Sequence, residues 1–186
     1  KRTEIHPYKT REGGATVTVF VPYNCLNNCP FCINKAEYEN PEGFSADKIC
    51  ESIRRMGAIT PYCDFVFTGG EPFADLNVLQ QMLDEIPKTH KVYINTTLPV
   101  SKFQTEDDIV RFTEKNKDKI TCINVSRHMQ HYVVESNDGL LKRLAVPFRI
   151  NCVLYKDYPK QDMIPYLERF RLIPGASIQF RFDYTE

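Results

Sequence analysis

Along this chain the spacing of apolar positions switches repeatedly between two residues and about 3.6, the pattern of strands alternating with amphipathic helices. Period two predicts strands at about 15–22, 64–68, 91–96, 120–126, 148–154 and 176–183. Helical spacing predicts helices at about 45–57, 75–86, 105–116, 137–145 and 160–171. Ile49, Ile53 and Met56 form one expected core stripe, Leu76, Leu79, Leu83 and Ile86 a second, and Ile164, Leu167 and Phe170 a third. Pro87, Pro147 and Pro174 fall in the connections that precede strands, where they stop helices at little cost, and Thr105 followed by Glu106, Asp107 and Asp108 suits a capped helix start.

Strand and helix therefore alternate through one domain spanning residues 1–186. Six βα units at roughly thirty residues each fall short of the eight units and roughly 250 residues of a closed barrel, so the expected fold is α/β, a partial (β/α)6 TIM-like barrel with parallel strands. Side-chain alternation assigns faces. Ile123 and Val125 should meet helices, with Cys122, Asn124 and Ser126 inward; Ile150, Cys152 and Leu154 should do the same against inward Arg149, Asn151 and Val153. On the last strand Ile178, Phe180 and Phe182 should face outward, leaving Gln179, Arg181 and Asp183 toward the lumen. Functional groups in such folds gather at the carboxyl ends of the strands.

Composition is that of a globular protein, with 42% hydrophobic and 26% charged residues. No apolar run reaches the length of a membrane-spanning helix. The 24 basic and 24 acidic residues cancel, which gives no global electrostatic footprint for nucleic acid or an anionic membrane.

Cysteine changes the picture. Cys25, Cys29 and Cys32 stand in C-x3-C-x2-C, and three thiolates at that spacing can ligate three irons of a 4Fe-4S cluster and leave the fourth open. Zinc normally takes a fourth ligand at motif spacing, and none follows Cys32 closely. Disulfides suit small secreted chains, whereas the cysteines here number seven, an odd count, with no signal-like segment before them. Further along, the apolar run Cys63–Thr68 ends in Gly69, Gly70, Glu71 and Pro72. Glycines are ordinary at a strand-to-helix turn, but their missing Cβ also lets backbone approach a ligand, and a carboxylate supplies a charge-assisted acceptor.

Together these motifs resemble the radical S-adenosylmethionine (SAM) superfamily, including aromatic Phe31 just before the last cysteine. The resemblance covers nearly the whole chain and implies the same (β/α)6 architecture. It implies two cofactors, a 4Fe-4S cluster held by Cys25, Cys29 and Cys32 and SAM, whose amino and carboxylate groups chelate the open iron. One electron from the cluster then splits the sulfonium into methionine and a 5′-deoxyadenosyl radical. Gly69, Gly70, Glu71 and Pro72 correspond to the segment that contacts the SAM amino group, Ser126 to a polar contact after strand four, and Asn95 and Asn151 to further SAM contacts. Val153 and the backbone beside Phe31 correspond to an apolar adenine pocket. The expected partners are an electron donor such as flavodoxin or ferredoxin and an organic or peptide substrate.

His128 and His131 are candidates for acid–base work or a metal pair, against the plainer reading of two loop histidines. Arg149 and Arg181 are candidates to clamp a carboxylate, with Gln179 and Asp183 beside them on the substrate side; pairing of an arginine with Asp183 is the structural alternative. Cys50, Cys63, Cys122 and Cys152 share no motif spacing and read as buried thiols of a reduced cytoplasmic protein. The chain opens at Lys1 without an initiator methionine and stops just after strand six, so flanking segments that specify substrate are expected outside it. Hydrogen abstraction from a peptide competes with chemistry on a small metabolite. The alternative outside catalysis is a regulatory module that keeps a cluster or zinc for structure alone.

Overall fold

The computed structural model describes residues 14–21, 25, 29–36, 43–60, 63–99, 104–129, 138–154 and 158–182. Strands β1 (Ala15–Val21), β2 (Cys63–Gly69), β3 (Lys91–Thr96), β4 (Cys122–Ser126), β5 (Phe148–Leu154) and β6 (Ile178–Phe182) form one sheet. It is all parallel and runs in chain order from β1 to β6. Helices α1 (Ala46–Ile59), α2 (Leu76–Asp84), α3 (Glu106–Lys115), α4 (Asp138–Leu141) and α5 (Met163–Arg171) occupy the connections. Among the described residues β1 and β6 are both edges, so the sheet is open and the α/β expectation holds in its coarser form. No helix among them is long and apolar enough to cross a membrane.

Alternation divides the sheet as its sequence implies. Val19 and Val21, Phe65 and Phe67, Val92 and Ile94, Ile123 and Val125, and Ile150, Cys152 and Leu154 all enter the buried core. The intervening positions on β3, β4 and β5 include Asn95, Asn124, Ser126, Arg149 and Asn151, which makes the opposite face more polar, with Val153 an apolar exception.

Local signals fix the helix starts. Thr105 and Asp108 make a reciprocal capping box at α3, and Asp75 accepts from the backbone N–H groups of Asn77 and Val78, each at 3.0 Å, at α2. The helix expected over 137–145 stops at Leu141, because Lys142 and Arg143 bond back three residues to Gly139 and Leu140 and tighten the chain. Residues 160–162 form a 3-10 turn ahead of α5 rather than its first turn.

The third core stripe is corrected. Ile164 is 72% exposed and Leu167 points largely to solvent, while Tyr166 and Phe170 are buried and Met163 packs beside them. Positions 163, 166 and 170 have helical spacing as good as 164, 167 and 170. The larger aromatic surface, its two rings edge-to-face at 5.1 Å between centroids, goes inward.

Candidate functional site

One cavity of about 490 Å³ lies at the carboxyl ends of the strands, and its wall draws on every strand from β1 to β6. Cys25, Cys29, Phe31 and Cys32 line it from the loop after β1, and Gly69, Gly70 and Glu71 from the turn after β2. Asn95, Ser126, His128, Asn151 and Val153 line it from β3, β4 and β5, and Arg181 lines it from β6. A second groove, about 700 Å³, opens between α2 and α3 around Asp75, Gln80, Asp108 and Arg111, and none of the motif residues reaches it.

Several expected site residues lie elsewhere. Pro72 starts a buried 3-10 turn behind Glu71 and is not part of the wall. Arg149 is buried beneath the cavity, where its Nη2 donates to Asn124 Oδ1 at 3.1 Å. Gln179 stands one step below Arg181 and accepts from its guanidinium at 3.3 Å. Phe182, expected to face helices, is 74% exposed and joins the cavity rim, since β6 is an edge strand with a neighbour on one side only. Asp183 and His131 fall outside the described residues.

Glu71 departs from the role of an open acceptor. Its carboxylate is 1% exposed, and Oε1 accepts from the Phe73 N–H at 2.9 Å and from Thr96 Oγ1. Oε2 accepts from the Thr97 N–H at 2.8 Å and Thr97 Oγ1 at 2.7 Å. Burial pushes its carboxyl upward, and these same donors oppose the shift. All the lone-pair positions a carboxylate offers are thus engaged within the chain.

His128 is also committed. Its Nδ1 accepts from the Val153 N–H at 3.1 Å, which puts the ring proton of the neutral form on Nε2. Its ring meets Phe31 edge-to-face at 4.9 Å, joining the cysteine loop to the end of β4. Burial, helped by the neighbouring Arg127 charge, lowers its pKa to about 4. An imidazole neutral at pH 7 and pinned at Nδ1 forms part of the wall and keeps an Nε2–H donor.

The cavity floor has a defined polarity. Arginine only donates, so Arg149 obliges Asn124 to present its oxygen, and Asn124 Nδ2 then donates to Asn95 Oδ1 at 2.8 Å. Asn95 is left facing the cavity with its NH2. Asn151, 8% exposed, belongs to the same wall, and its Oδ1 is buried behind the surface with no partner among the described residues.

Thr18, Phe20 and Thr68 belong to the wall and were not singled out from sequence. Alternation alone would have found them, because they occupy the inward positions of β1 and β2 opposite Val19, Val21 and Phe67. Thr97 and Arg127 follow β3 and β4 at the end where functional groups gather, but position alone gives them no role. Their importance arises from contacts with Glu71, Ser126 and Asp138 that only the fold creates.

The chemistry of the three thiols fits an iron-sulfur group. Burial, then repulsion from Cys25 and Cys32, pushes the Cys29 thiol up to about 12, so three thiolates here require a cationic centre among them. The Cys32 N–H donates to the Cys29 carbonyl at 3.1 Å and turns the loop so that both side chains reach one cavity. Cys50, Cys63, Cys122 and Cys152 are buried elsewhere.

No curated protein matches the chain. A family model described as a 4Fe-4S single cluster domain matches residues 12–132, from just before β1 to just beyond β4, including all three loop cysteines and Gly69 to Glu71. With well over half its length matched and its three motif thiols on one cavity, the chain belongs to the 4Fe-4S single cluster domain family.

Proposed function

We propose that this chain is a radical SAM enzyme, which uses its cluster to cleave S-adenosylmethionine and abstract a hydrogen atom from an organic or peptide substrate. What supports the reading most is that Cys25, Cys29 and Cys32 share a cavity of about 490 Å³ with the polar ends of β3, β4 and β5, a volume in the range of small-molecule sites. A cluster kept for structure alone needs no such space beside it. Bound, the cluster would supply one electron to the sulfonium, releasing methionine and a 5′-deoxyadenosyl radical that takes a hydrogen atom and leaves a substrate radical.

The chain's own residues have separable tasks in this scheme. Cys25, Cys29 and Cys32 would hold the cluster, and three thiolate ligands would leave one iron for SAM. Because the Glu71 oxygens are engaged, the SAM ammonium is assigned to backbone carbonyls of the adjoining Thr68–Gly70 segment, while Glu71 ties the turn that follows to Thr97 after β3. Phe31 and Val153 supply apolar surface for the adenine, while the Asn95 NH2 offers a donor to polar groups of cofactor or substrate, with Asn151 beside it on the wall. Arg181, at the far side of the wall on β6, is assigned to an acidic group of the substrate.

The test is anaerobic. Reconstituted protein, reduced with dithionite and given SAM, should form 5′-deoxyadenosine and methionine, and the Cys25→Ala, Cys29→Ala, Cys32→Ala triple variant should form neither. A fully cluster-loaded, reduced protein that cleaves no SAM above the buffer rate would leave only the regulatory-module reading.

A further inference from the structure

Thr97 is gripped from both sides by buried charge. Its N–H and hydroxyl donate to Glu71 Oε2 at 2.8 and 2.7 Å, and its carbonyl accepts from Arg127 Nη1 at 2.6 Å. Arg127 is as buried as Glu71, at 1% exposure. The same nitrogen donates to the Ser126 carbonyl at 2.9 Å, and Nε donates to Asp138 Oδ1 at 3.4 Å. The other Asp138 oxygen accepts from Arg169 Nε, and the Tyr166 hydroxyl donates to the Arg127 carbonyl. Charge therefore alternates from Glu71 through Arg127 and Asp138 to Arg169, from the turn after β2 to helix α5.

Such a chain has few alternative geometries. A guanidinium or carboxylate left unpaired in the interior costs several kcal/mol, and hydrogen bonds that polarise a shared peptide strengthen one another. Ser126 and His128 flank Arg127, and His128 carries the link on to Val153 of β5. Two wall residues, Thr97 and Ser126, thus bond directly to one arginine that does not itself line the cavity, and a third, His128, is the next residue in the chain.

We propose that Arg127 is a positioning residue of this site, clamping the carboxyl ends of β3 and β4 against Glu71 so that Thr97, Ser126 and His128 keep their places around the ligand. The proposal rests on the reading of the cavity as a cluster and SAM site. Lysine keeps the charge but is a single point donor, and cannot serve two carbonyls and a carboxylate in one plane.

The experiment compares anaerobically reconstituted wild type, Arg127→Lys, Arg169→Met and the remote surface control Arg54→Met by three readouts: iron content, SAM affinity by calorimetry, and hydrogen exchange of segments 92–99 and 122–129. Arg127→Lys should keep its iron, bind SAM about tenfold more weakly, the scale of one charge-assisted hydrogen bond, and exchange faster in both segments. Arg169→Met, altered at the half-exposed end of the chain, should shift both readouts the same way by less, and it decides the matter if Arg127→Lys does not fold. Arg54→Met should match wild type. Unchanged exchange in Arg127→Lys, or faster exchange with wild-type SAM affinity, overturns the positioning role. Wild type that holds iron but fails to bind SAM overturns the proposed function instead, and exchange in the SAM-free samples then decides whether the clamp exists.

Discussion

A carboxylate that accepts four hydrogen bonds inside the protein has little left for a ligand, and Glu71 is in that position between Phe73, Thr96 and Thr97. Glu71→Ala would strand these donors in the interior and should lower unfolding free energy by at least roughly 3 kcal/mol, read by anaerobic urea denaturation. Wild-type stability with weakened SAM binding would instead make the carboxylate a ligand contact. His128 gives a second residue-scale test. Its imidazole takes a proton near 6.5 when unfolded but only at about 4 when folded, so the unfolded state binds more protons between those values. The stability from neutral, buried His128 is complete above pH 6.5 and is lost as pH falls toward 4, a change of roughly 3 kcal/mol. His128→Phe should flatten that part of the profile, and an identical pH dependence in both proteins would show that His128 titrates normally. At this scale the sequence revealed which residues are chemical but not what they touch. The acid after paired glycines was legible; its engagement by Thr96 and Thr97, supplied by another strand, was not.

Elements were legible to the extent that their signals were unshared. Period-two alternation on β3, β4 and β5 sorted Asn95, Asn124, Ser126 and Asn151 from Ile94, Ile123, Val125 and Ile150, because a strand has only two faces. On α5 two overlapping stripes of equal spacing competed, and the choice fell to Tyr166 and Phe170 through packing that sequence does not express. Phe182 misled for a related reason, since alternation presumes a covered face and β6 is an edge. The turn after β2 shows why its glycine is needed. Gly69 has φ of +113°, and a Cβ there would lie 2.4 Å from the Val21 carbonyl oxygen and 2.8 Å from the Val21 nitrogen. Gly69→Ala should therefore drive β2 from β1 just before the cysteine loop, costing roughly 2 kcal/mol or more and reducing iron incorporation. Normal iron content and an unchanged melting temperature in that variant would show that the two strands have room to separate.

For the whole molecule, parallel strands in chain order bring their carboxyl ends to one end of the sheet, and residues far apart in sequence meet there around one cavity. Topology explains how C-x3-C-x2-C after β1, paired glycines after β2 and a lone arginine on β6 become one wall. Strand count and order followed from hydrophobic periodicity. The open sheet was legible as well, since six βα units fall short of the eight that close a barrel. The most direct measurement is electron paramagnetic resonance of the reconstituted, dithionite-reduced protein before and after SAM is added. The account predicts a reduced-cluster signal that requires Cys25, Cys29 and Cys32 and changes shape when SAM binds at the open iron. A cluster signal that stays the same at saturating SAM would contradict it.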